Sequence, residues 1–60
     1  MYFRVEVVAG ASNIHGRAAL INASNWTEAE TKAIELWKQK KLNVDGISKM
    51  ECQRVHDIGT

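Results

Sequence analysis

The side chains best suited to chemistry are one thiol and two imidazoles: Cys52, His15 and His56. Cys52 and His56 read first as a nucleophile with its base, which requires the two to lie within hydrogen-bond reach. Four residues apart on an extended strand they stand about 13 Å apart, so no dyad is expected. Cys52 is instead expected to face the core as a small apolar residue. His56 next to Asp57 reads as a solvated pair at a strand end, and His15 falls in a loop. Neither histidine has the closely spaced companion ligands that a zinc site uses. Gly10 and Gly16 precede no helix N-terminus and make no phosphate-binding fingerprint. The expectation is a protein without enzyme activity, cofactor or metal.

The remaining reactive feature is charge. Lys38, Lys40 and Lys41, with Lys49 and Arg54, could contact a phosphate backbone. The same lysines also complement the carbonyls at a helix C-terminus without any ligand. Eight basic against seven acidic residues leave a formal net charge of +1, which generates no long-range field. Nucleic-acid binding is therefore carried as an alternative that rests on a local patch.

Two glycosylation tripeptides, Asn22-Ala23-Ser24 and Asn25-Trp26-Thr27, matter only to a chain that enters a secretory pathway. A single cysteine and no apolar leader after Met1 point to a reducing cytoplasm, and both tripeptides are read as coincidental. The longest apolar runs are too short to cross a bilayer, so no membrane partner is expected. Sixty residues suit one domain, 1-60, with a thin stability margin and neither a disulfide nor a metal to reinforce it.

Those side chains must be positioned by few elements. Tyr2 to Ala9 alternates Phe3, Val5 and Val7 with Arg4 and Glu6 and reads as a strand. GASNIHG, Gly10 to Gly16, reads as an exposed hairpin loop. A second strand, Arg17 to Ala23, points Ala19, Ile21 and Ala23 inward. Asn25 is a good N-cap, with Glu28 at capping-box spacing. The helix that follows gathers Trp26, Ala29, Ala33, Leu36 and Trp37 on one stripe, with Ile34 on its flank, and both tryptophans are expected in the core. Glu28, Thr31, Lys32, Glu35 and Lys38 form its solvated face. Asn43 or Asp45-Gly46 should end the helix. A third strand, Ile47 to His56, turns Met50 and Cys52 inward, and Val55 falls out of step, which suggests a bulge near Gln53 or Arg54.

The order is ββαβ, an α+β fold. A right-handed return from the helix makes the first strand central, giving a three-stranded antiparallel sheet of order 2-1-3 with one helix on one face. The opposite face is expected to carry Tyr2, Arg4, Glu6, Val8, Ala18, Leu20, Lys49, Glu51 and Arg54. Antiparallel sheets commonly leave such a face wet. Tyr2, Val8 and Leu20 edged by charge nevertheless have the composition of a contact surface, and two free strand edges offer docking by strand addition. The candidate contact residues are Tyr2, Arg4, Leu20, Lys40, Lys41, Lys49, Arg54 and His56.

The opening strand FRVEV, a second strand ending A-S-N, the helix start N-W-T-E-A with Ala33 and Trp37, and the ending Q-R-V-H resemble the very small ββαβ proteins that phages make to disable their hosts. They are similar to phage inhibitors of bacterial RNA polymerase and to some small anti-CRISPR proteins. In the polymerase inhibitors a basic pair on the last strand contacts the enzyme. Arg54 matches that pair, and His56 stands where the family has arginine. The resemblance implies a non-enzymatic inhibitor acting in the bacterial cytoplasm on a host protein or defence complex. A homodimer is a further reading, because a lone domain of this size gains stability from self-association.

Overall fold

The computed structural model describes residues 1–55. It shows β1 (Tyr2–Gly10), β2 (Ala18–Asn22), α1 (Trp26–Gln39), a short 3-10 turn (Val44–Gly46) and β3 (Ile47–Val55). The sheet is antiparallel throughout in the order β2-β1-β3, and α1 contacts all three strands. The ββαβ expectation thus holds, with strand ends shifted by a residue or so. His56 lies outside the described residues, so neither the expected absence of a Cys52–His56 dyad nor the expected His56–Asp57 pair falls within them. No helix among the described residues is long and apolar enough to cross a membrane.

Alternation on β1 supplies the centre of the core, where Phe3, Val5 and Val7 are fully or almost fully buried. Ile21 and Ala23 join from β2, and Ala29, Ala33 and Trp37 descend from α1. Spacing of four along the helix stacks these last three on one line. The two alanines keep the axis near the sheet, and Trp37 fills the wider space beyond them, only 2% exposed. Leu36 and Ile34 are half-buried at the flanks.

Three expectations about this core need correction. Trp26 belongs to the inward stripe by angle but is 61% exposed. It is the first residue of α1, and side chains on a helix lean toward its N-terminus. Its indole therefore lies at the start of the helix over the sheet rim, beside Met1, Phe3 and Arg54, and outside the closed core. A helical wheel gives an angle and no axial coordinate.

The second correction concerns the loop from Ala11 to Gly16, expected to be exposed. Ile14 is completely buried there. The backbone curls into a helical turn, with the Ile14 and His15 amides donating to the Ala11 carbonyl at 3.0 and 2.8 Å. That curl drives the one large apolar side chain of the loop under the sheet end. Asn13 Oδ1 then accepts from the Asn43 amide at 3.3 Å, and the Ala11 amide donates to Gly46 O at 2.9 Å, so the loop is tied to both the post-helix segment and the 3-10 turn.

Third, the sheet irregularity sits at the opposite end of β3 from the expected one. Val5 opposes Cys52 and Val7 opposes Met50, after which the pairing shifts to Ala9 with Lys49 and then Gly10 with Ile47. Gln53 and Arg54 pair regularly with Arg4 and Phe3. Gly10 marks the crowded end, since a Cβ there would lie 2.9 Å from Gly46 O and 3.2 Å from Ile47 Cα. Main-chain atoms cannot yield to it, and the strands can close only around glycine.

The helix ends earlier than Asn43. Lys40 is the C-cap, and Lys41 takes a left-handed φ of 60°. The Leu42 amide donates to Trp37 O at 3.0 Å and the Lys41 amide to Lys38 O at 2.9 Å, the two bonds of a Schellman motif. A β-carbon in that conformation costs about 1 kcal/mol. Lys41→Gly is accordingly expected to raise stability by roughly 0.5–1 kcal/mol in chemical denaturation, with an unchanged m-value.

At the other end Asn25 Oδ1 accepts from the Glu28 amide at 2.8 Å, as expected of an N-cap. Glu28 reaches back to the Ser24 amide, one residue before the cap, and meets Lys32 Nζ at 3.1 Å. The Lys32 hydrogen bond, then that from Ser24, hold its carboxyl below the ordinary 4.5. A carboxylate depressed in the folded chain stabilises the fold above its unfolded value, and that contribution disappears as pH falls through the folded one. Glu28→Gln should therefore flatten the acid limb of a melting-temperature profile below 4.5 and leave its neutral limb parallel to wild type.

Candidate interaction surface

The uncovered face of the sheet is ordered in cross-strand rows. Asn22, Tyr2 and Val55 form the row at one rim, followed by Leu20, Arg4 and Gln53, and then by Ala18, Glu6 and Glu51. Leu20 is 64% and Tyr2 39% exposed, and Val55 is half-buried beside Tyr2. Tyr2 faces Val55 directly and lies within diagonal reach of Leu20, so it links two apolar groups carried by opposite edge strands. Arg4 sits among them, but its Nη1 is engaged by Glu6 Oε1 at 2.7 Å. Glu6 directly opposes Glu51, an unfavourable like-charge pair that this ion pair offsets.

Arg54 is not on that face. It opposes buried Phe3 and so shares the helix side of the sheet, a consequence of the regular pairing that also turns Val55 outward. Together with Trp26, Met1, Phe3, Ser24 and Asn25 it lines a shallow, largely apolar depression at the rim. Met1 is more than half exposed. The face proposed from sequence thus continues around the end of the sheet: Tyr2, Leu20 and Val55 on one side, Trp26, Met1 and Arg54 on the other. No protein-family model, curated protein or solved structure matches the chain.

Lys40 and Lys41 are exposed at the far end of α1, near the hairpin loop and away from the Tyr2 rim. Lys49 is exposed near the start of β3. The eight candidate residues therefore divide into an apolar and aromatic end with Tyr2, Arg4, Leu20 and Arg54, and a basic end with Lys40, Lys41 and Lys49. His56 lies outside the described residues. Trp26 was missed as a surface residue because its heptad-like spacing matched the core stripe. Its place immediately after the N-cap was the available signal.

Cys52 faces the helix opposite Val5 and is half-buried. Desolvation, and then the nearby Glu30 carboxylate, push its thiol above the ordinary 9.0. At neutral pH it is a protonated, weakly nucleophilic group. Among the described residues no three His, Cys, Asp or Glu side chains converge on a metal-sized site.

Proposed function

We propose that this chain is a small interaction protein, phage-encoded, which inhibits a bacterial host enzyme or defence complex in the host cytoplasm by direct binding rather than by chemistry. The observation that carries the reading is the exposed Trp26 in company with Arg54 and Met1, one sheet edge away from Tyr2 and Leu20. Tryptophan, tyrosine and arginine are the residues that most often dominate binding energy at protein interfaces. Leaving an indole in water gives a domain of this size no folding benefit, and burying it against a partner does. The resemblance of the last strand to that of the phage polymerase inhibitors adds that Arg54 would match one of their basic contact residues.

The test is a tagged pull-down from bacterial lysate, with and without nuclease, repeated with Trp26→Ala and Arg54→Ala. One stoichiometric partner should survive nuclease, lose activity when bound, and be captured at least about tenfold less well by each variant. Equal capture by both folded variants would defeat the proposed surface. Loss of every partner after nuclease would favour the alternative, a nucleic-acid-binding module using Lys38, Lys40, Lys41 and Lys49. That module would bind in a steeply salt-dependent way.

A further inference from the structure

The two edges of the sheet are not equally available. The Val7 amide donates to Arg17 O at 2.7 Å, and Val7 O and Met1 O accept from Gly16 and Ala23, so odd-numbered residues of β1 direct their backbone groups toward β2. Tyr2, Arg4 and Glu6 then face β3, where they pair with Val55, Gln53 and Glu51. Peptide alternation leaves the N–H and C=O of Met50, Cys52 and Arg54 directed outward from β3, and those of Ala18, Leu20 and Asn22 outward from β2. On β2 this edge is only five residues long, and Lys32 Nζ occupies the Asn22 carbonyl at 3.0 Å. The nine-residue edge of β3 carries no such obstruction among the described residues.

We propose that β3 pairs with β3 of a second copy of this chain, antiparallel about a two-fold axis at Met50, to form a continuous six-stranded sheet. Charge chooses the register. An axis at Met50 sets Lys49 opposite the partner's Glu51 and Glu51 opposite the partner's Lys49, two reciprocal ion pairs on the uncovered face. Neither side chain has an ionic partner within the described residues of one chain. An axis at Glu51 would oppose that carboxylate to its own copy. An axis at Cys52 would set Lys49 against Val55 and Glu51 against Gln53, with no ion pair. The Met50 register also brings the two half-buried Met50 side chains together on the helix side, where each covers the other. Tyr2 lies on β1 and Leu20 on β2, so this pairing leaves that part of the proposed host-binding surface open and presents it twice, while Arg54 falls opposite Gly46 of the second copy.

The inference concerns the pure protein and is tested without any host factor. Sedimentation of wild type from micromolar to millimolar concentration should show a reversible monomer–dimer equilibrium that weakens with added salt. Lys49→Glu should weaken the dimer about tenfold or more, and combining it with Glu51→Lys should restore it. Circular dichroism checks that each variant is folded. Met50→Cys in a Cys52→Ser background should be joined to its copy by a short bis-maleimide faster than Cys52 in wild type. A wild type that stays monomeric throughout would overturn the proposal. So would a dimer indifferent to Lys49→Glu, or the absence of Met50→Cys cross-linking.

Discussion

Trp37→Ala is expected to remove most of the folding stability at room temperature, while Trp26→Ala leaves the protein folded. The two residues are the same type on the same helical stripe, and their difference is axial. Trp37 is 2% exposed, packed in a cluster with Phe3, Val5 and Ala33. Truncating such a ring loses its transfer free energy and leaves a cavity, together costing about 3–5 kcal/mol. A sixty-residue domain commonly has about 3–9 kcal/mol in total, so this one change approaches the whole margin. Trp26, 61% exposed, should cost less than about 1 kcal/mol. Urea denaturation followed by circular dichroism measures both. Tryptophan fluorescence gives an independent check: emission from the Trp26→Ala variant should be shifted to the blue and resist iodide quenching. Equal destabilisation by the two changes would contradict the packing described.

Ile14→Ala is expected to cost about 2–4 kcal/mol, a size unusual for a loop residue. Ile14 is completely enclosed, and its Cγ2 lies about where a Cβ on Gly10 would meet it, at 3.1 Å. The curl that places it also positions Asn13 against Asn43 and Ala11 against Gly46. Removing the side chain should therefore loosen both connections at once, raising amide exchange at Asn43 and Ala11 as well as in the rest of the loop. Ile14→Val, which keeps most of the volume, should cost about 1 kcal/mol. A loss below that for Ile14→Ala would mean that Ile14 is a passenger in the loop.

The sequence was most informative where local rules and global packing agree. Alternation over Tyr2 to Ala9, the Asn25 cap and the Ala29, Ala33, Trp37 line each dictate an element, and the right-handed return fixes strand order. It misled where position along an axis matters more than periodicity. Trp26 has core spacing but sits at the sheet rim, outside the closed core. Ile14 lies between turn formers and looks solvent-facing, until the backbone curl carries it inward. Val55 is out of step only when its strand is taken without its partner. Once Tyr2 is seen opposite Val55 the strand end is regular, and the irregularity moves to Val8, Ala9 and Ser48, where β1 and β3 each carry an extra residue. That one shift moved Arg54 from the open face to the side of Trp26, and with it the centre of the candidate surface. Edge availability depends on the Lys32 contact with the Asn22 carbonyl, a pairing between elements that no short-range pattern contains.

The central place of β1 also has a kinetic meaning. Its hairpin with β2 closes over a short loop, but its other neighbour, Ile47–Val55, is separated from it by the whole helix. Loop-closure entropy makes that pairing late and slow relative to the hairpin. During synthesis Tyr2–Gly10 must wait with one flank bare until β3 has emerged, and over that interval the most apolar strand of the molecule is the segment most in need of protection from aggregation.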